Sequence, residues 1–266
     1  MGIIQTNQWL EEEFNRPTKI CKKLLPVFQG QEEEEIYQQL LSYGMYKPSR
    51  ATKGIYESLK KNNVWEKAEQ LFHTYKKKWG GPDIPIYIFP IGQKVGFFTR
   101  QEKVKGGVSF HDKMFLFLSD KVSVSELEAL FVHEYHHVCR LNKQEKGFKE
   151  YTLLDSIIIE GLAEYAVLKN CGRKYLADWC TMYTESEMLQ LWGKYLQNQL
   201  NKKKIEKGHD ELLYGGGRVP DLLGYAIGYR IVENYYQEHR YSTILSFKIP
   251  AKSYLEADKI FTTKGN

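Results

Sequence analysis

The chain has 266 residues, of which 42% are hydrophobic and 27% charged. That is enough for a sizeable folded core, and it excludes a largely disordered protein. The net charge of +5, from 38 basic and 33 acidic residues, is a mild excess that gives no grounds for a nucleic-acid partner or an anionic membrane surface. The basic runs Lys76-Lys77-Lys78 and Lys202-Lys203-Lys204 read as solvated faces.

No apolar run reaches the length of a membrane span. Glu11, Glu12 and Glu13 stand where a secretory signal would be apolar. The expected location is therefore the cytoplasm, with no membrane partner. Cys21, Cys139, Cys171 and Cys180 form no C-x-x-C pair, so they read as thiols in a reducing compartment rather than as a disulfide framework.

Residues 1–80 read as a helical lobe. Ile36, Leu40 and Tyr43 recur at helical spacing after the acidic start Glu32 to Glu35, which suits a helix N-terminus. Ile55, Leu59, Val64, Ala68, Leu71, Phe72 and Tyr75 continue the period until Gly80-Gly81-Pro82 breaks it. The texture then becomes β-rich. Ile84 to Ile91, Val95 to Arg100 and Lys113 to Leu118 predict strands of a small sheet, and Gly106-Gly107 predicts a turn or bulge between two of them. Pro85 and Pro90 confine the first strand to an edge, or bound it at both ends.

Ser123 and Glu126 have capping-box spacing, and a long helix follows. Asp155 reads as the N-cap of a second helix ending near Gly172. Residues 175–205 and 221–240 also read as helical. The expected organisation is α+β in three parts: 1–80 a helical lobe, 81–173 a small sheet with the central helices, and 174–266 mainly helical.

The chemistry lies in Phe131-Val132-His133-Glu134-Tyr135-His136-His137. Residues four apart share a helix face, so the imidazoles of His133 and His137 can meet at one point and fill two positions of a Zn²⁺ ion. Glu134 is rotated slightly off that face, where it can reach a water at the metal, as a general base must. His136 offers a rival pairing at i+3, but the i+4 spacing favours His137. Glu160, in an apolar stretch after Ile157, Ile158 and Ile159, is the expected third ligand, because a metal would offset the cost of burying its charge. Glu164, one turn on, can accept a hydrogen bond from the far ring nitrogen of a ligand histidine.

In Gly224-Tyr225-Ala226-Ile227-Gly228-Tyr229-Arg230, two tyrosines lie four apart, and two glycines allow a neighbouring helix close. Tyr229 or Tyr225 can donate to a developing oxyanion, and Arg230 can bind a substrate carboxylate. The two tyrosines read equally well as core residues. His209, in a polar stretch, reads as surface.

The pair HEYHH (133–137) and EGLAE (160–164) resembles a gluzincin, the zincin class with two histidines and a glutamate as ligands. More closely, the chain resembles the YjaZ-type family of predicted zinc-dependent proteases. Those two motifs carry the resemblance, together with Trp79-Gly-Gly-Pro-Asp-Ile84, Gly107-Val108 and Gly224 to Tyr229. The resemblance implies a zincin-like fold, a zinc ion on His133, His137 and Glu160, Glu134 as base, and a peptide or protein substrate. Glu164 is a departure, because the thermolysin-like pattern has Asp there. The competing reading is a zinc-binding sensor or interaction module without turnover. Intact Glu134 speaks against it, and three ligands rather than four speak against a purely structural site.

Overall fold

Self-complementary ends explain why the helices begin where they do. In the computed structural model, which describes residues 1–92, 104–144 and 146–262, five of the described helices open on a full capping box. One of them begins at Ser49, whose Oγ accepts from the Thr52 amide at 3.1 Å. Two compact units emerge, Met1–Val138 and Cys139–Asn266.

In the first unit, strand β1 (Gly2–Ile3) precedes α1 (Thr6–Glu13), α2 (Pro17–Lys22), α3 (Glu33–Tyr43), α4 (Arg50–Lys61) and α5 (Val64–Trp79). The periodicity across residues 55–75 belongs to two helices rather than one. Asn63 takes a left-handed φ of 52° between them, a conformation asparagine tolerates better than most residues. The N-terminus, expected to be helical, instead donates a short strand to the sheet.

The sheet has β2 (Pro85–Pro90), β3 (Lys105–Ser109) and β4 (Met114–Leu118) besides β1, in the order β1-β2-β4-β3. β1 runs parallel to β2, and β2 parallel to β4, while β3 is antiparallel to β4. Every residue of β2 and β4 is buried, which explains their unbroken apolar sequences. The two prolines of β2 stand at its first and last positions, so the strand is bounded rather than at an edge. Gly106 and Gly107, expected in a turn or bulge, pair within β3 opposite Phe117 and Leu116. The strand expected at Val95 to Arg100 lies outside the described residues.

The first unit ends within α6 (Val124–Gln144). Ser123 Oγ accepts from the Glu126 amide at 3.2 Å, and Glu126 accepts in return from the Ser123 amide at 2.9 Å. Phe131 and Tyr135 of α6 are fully buried and meet the rings of α5. Trp79 stacks on Tyr135 at 6.0 Å, Tyr75 lies 6.1 Å from Phe131, and the Tyr135 hydroxyl donates to the Pro82 carbonyl at 2.9 Å.

The second unit contains the end of α6, then α7 (Leu153–Asn170), α8 (Glu185–Leu191), α9 (His209–Tyr214), α10 (Leu223–Glu238), α11 (Thr243–Ser246) and α12 (Ala251–Glu256). Residues 175–205, expected to be helical, are broken into short 3₁₀ and π segments around α8. The N-cap of α7 is Thr152 rather than Asp155. Thr152 Oγ1 accepts from the Asp155 amide at 3.3 Å, and the Asp155 carboxylate accepts from the Thr152 amide at 2.8 Å.

α7 and α10 cross at two glycines. A Cβ on Gly161 would lie 2.2 Å from the Gly228 carbonyl oxygen, and one on Gly228 would lie 2.1 Å from that of Ile157. The EGLAE and GYAIGY stretches therefore owe their glycines to a backbone-on-backbone contact. The end of α6 is pinned by polar contacts. Arg140 is buried and donates to the carbonyls of Ser246 and Ile249, and Gln144 donates to that of Phe247. Burial lowers the basicity of the Arg140 guanidinium, partly opposed by the nearby tyrosines and Asp155.

No described helix is long and apolar enough to cross a membrane. Cys21, Cys139 and Cys180 are buried and Cys171 half-buried. Burial pushes the Cys21 thiol up to about 12, so it behaves as a small apolar group.

Candidate metal centre

On α6 the i, i+4 spacing does what helix geometry requires. His133 Nε2 and His137 Nε2 are 3.1 Å apart, and the ring centroids are 4.7 Å apart at 89°. His133 is half-buried, and His137 is 8% exposed. His136 points elsewhere on the helix. It is fully buried, and its ring meets the edge of Trp79 at 6.1 Å. Among the described residues, one group of side chains could hold a metal ion: a ligand atom from each of His133, His137 and Glu160, all within 4.8 Å of one another.

Glu160 sits in the second turn of α7, half-buried, after the buried Ile157 and Ile158. Glu164, one turn further, is 3% exposed, and its carboxylate accepts from the Ala177 amide at 2.6 Å. One turn before Glu160, Ser156 Oγ lies 3.1 Å from His209 Nε2, and His209 Nδ1 lies 2.9 Å from Asp210, which also pairs with Lys204 at 2.8 Å.

His209 was expected at the surface, yet it is fully buried. Its polar neighbours in sequence hid this. Burial is the chief cause lowering its basicity, partly opposed by the bond to Asp210. Ser156, His209 and Asp210 have the connectivity of a nucleophilic triad. The serine and histidine are both enclosed, however, so the array fastens the start of α9 to α7 and leaves no room for a substrate.

Glu134, the expected base, is 6% exposed. The Ser109 hydroxyl lies 2.6 Å from its carboxylate Oε2 and 2.9 Å from its backbone carbonyl. Nothing in the sequence marks Ser109. The signal was indirect: two glycines followed by valine and serine, in a segment whose pairing with β4 was not foreseen.

The tyrosines and arginine of α10 are packed as follows. Tyr225 is half-buried, its ring 5.2 Å from Trp179 and 5.6 Å from Tyr214. Tyr229 is 3% exposed, and its hydroxyl donates to Glu233 at 3.3 Å. Burial raises the Tyr229 pKa, and the Glu233 charge adds to it. Arg230 also pairs with Glu233, at 3.1 Å, and Arg173 lies 3.7 Å from the same carboxylate. The sequence reading missed Glu233, although its spacing, four residues from Tyr229 and three from Arg230, was the available signal.

Residues 64–256 match the family model described as "Predicted Zn-dependent protease (DUF2268)". The chain is 36% identical over 260 residues to "Uncharacterized protein YjaZ" of Bacillus subtilis (strain 168), covering 97% of this chain and 99% of that protein. It is 22% identical over 154 residues to "Uncharacterized protein YjfC" of the same organism, covering 53% of this chain and 50% of that one. No solved structure matches the chain. With 64–256 spanning both EGLAE and HEYHH, and a near full-length relative at this identity, the chain belongs to the DUF2268 family of predicted Zn-dependent proteases.

Proposed function

We propose that the chain is a zinc-dependent peptidase on a zincin-like fold, with His133, His137 and Glu160 holding the metal and Glu134 acting as general base. The single observation that carries this reading is the convergence of two imidazoles and one carboxylate. The donor set suits zinc: two nitrogens and one oxygen, with three protein ligands leaving a position for water or substrate. A bound zinc ion would supply Lewis acidity to a peptide carbonyl and lower the pKa of water in that position.

The protein's own residues do the rest. Glu134, next in sequence to a ligand, accepts the proton of the attacking water at its carboxylate and passes it to the leaving amine. Glu164 backs a ligand histidine by accepting from its far ring nitrogen. The outer edge of β3 offers backbone donors and acceptors to an extended peptide. Tyr229 or Tyr225 donates to the developing oxyanion, and Arg230 anchors a carboxylate of the substrate. Glu233 holds both Tyr229 and Arg230 in the resting protein, so their engagement with substrate requires exchange of those bonds.

Glu134→Gln tests the reading. The variant is expected to keep its zinc and to lose roughly 10²–10⁴-fold in kcat on a pool of internally quenched peptides. Hydrolysis at the wild-type rate would remove Glu134 from the mechanism.

A further inference from the structure

We propose that Gly107 and Ser109 form a socket that fixes the Glu134 carboxylate, making both of them positioning residues for proton transfer. The inference rests on the peptidase reading above and adds to it the part of the chain that sets where the base points.

Residues two apart on a strand face the same side, so Gly107 and Ser109 of β3 share a face, and both meet Glu134. At Gly107 the contact is made by empty space. A Cβ there would lie 2.6 Å from Glu134 Cγ, Cδ and Oε1, well inside van der Waals contact. The carboxylate thus fills the volume that any other side chain at this position would occupy. The glycine is not there for backbone freedom, because its φ is not among the positive values.

At Ser109 the contact is a hydroxyl, 2.6 Å from Oε2 and 2.9 Å from the carbonyl of the same glutamate. The first distance is in the range of charge-assisted bonds. The hydroxyl has one hydrogen to donate, and it sits between the main-chain carbonyl of Glu134 and the tip of the same side chain, with the shorter distance to the carboxylate. Register holds the socket in place: Gly107 pairs with Leu116 and Ser109 with Met114 on the fully buried β4, and Lys105 at the start of β3 donates to the Glu126 carbonyl of α6 at 3.2 Å. The catalytic benefit is pre-organisation, since a base displaced by about 1 Å can lose about 10²-fold in rate.

The test uses the zinc-loaded full-length protein and its Gly107→Ala, Ser109→Ala, Ser109→Thr, Glu134→Gln and Gly107→Ala/Glu134→Gln variants, on the same pool of quenched peptides. Ser109→Ala is expected to lower kcat by roughly 10-fold and Gly107→Ala by roughly 100-fold. KM and bound zinc should be unchanged, and Ser109→Thr should restore the rate. Adding Gly107→Ala to Glu134→Gln should cost nothing further, because the group it displaces is no longer a base.

Crystal structures of Gly107→Ala and Ser109→Ala give a readout independent of turnover, with the Glu134 carboxylate displaced in both. Wild-type kcat in both single variants, or a carboxylate unmoved in both, overturns the socket while leaving Glu134 as base. Full activity of Glu134→Gln instead overturns the peptidase mechanism, and the two crystal structures still decide whether the socket exists.

Discussion

The two helices that carry the expected ligands are held by opposite means. The first half of α6 is fixed by large side chains: Phe131 and Tyr135 fill a ring cluster with Phe72, Tyr75 and Trp79. α7 is fixed by missing ones, with Gly161 and Gly228 letting two backbones touch. A histidine pair needs a helix that does not rotate, and interlocked rings prevent rotation. The glycine crossing sets how closely α7 and α10 approach, and it tolerates no added side chain. The contrast teaches that α6 should be sensitive to loss of volume and α7 to its addition.

The largest effect expected from this contrast is Tyr135→Ala, which leaves a cavity among the aromatic rings and an unanswered Pro82 carbonyl. It should cost about 3–5 kcal/mol in urea unfolding. A cost below that of an exposed substitution would show that the ring cluster does not hold α6. Next is Gly228→Ala, where the added methyl must push against the Ile157 carbonyl oxygen 2.1 Å away. About 3 kcal/mol is expected. Gly54→Ala on α4, where nothing lies within 4 Å of a new Cβ, should instead stabilise by about 0.5–1 kcal/mol. Equal costs at positions 54 and 228 would mean that helix propensity, not the crossing, is being measured.

A smaller effect, about 1 kcal/mol, is expected from Thr152→Ala, which removes the cap of α7. Smallest is the pH dependence through His209. Its pKa is lower in the folded chain than the ordinary value of 6.5. The unfolded chain therefore takes up the proton more readily, and the contribution is fully present above pH 6.5 and lost as pH falls through the folded pKa. Urea midpoints should decline from pH 7 to pH 5 more steeply in the wild type than in His209→Gln. Parallel profiles would remove His209 as a source of acid sensitivity.

The elements around the histidine pair were the most legible, because their signals are local. The i, i+4 spacing and the Ser123/Glu126 box both act within a few residues, and α6 begins where they place it. The start of α7 was misread because Asp155 has two roles available to it. It is a good N-cap by type, but Thr152 three residues earlier makes it the answering carboxylate of a box. β3 was hidden because Lys105 to Ser109 has little strand propensity of its own, and its pairing with the apolar β4 overrides that preference. The burial of His209 depends on Ser156, far away in sequence, and no local pattern carries it. The roles of Ser109 and Glu233 were likewise set by contacts that only the folded chain brings together.

The measurement that tests the central claim most directly is metal analysis of the purified untagged protein, alongside His137→Ala, Glu160→Ala and His136→Ala. The account predicts about one zinc per wild-type chain, lost in His137→Ala, strongly weakened in Glu160→Ala and retained in His136→Ala. A wild-type chain that takes up no zinc when it is offered, or a site that survives loss of His137 and Glu160 but not of His136, would contradict it.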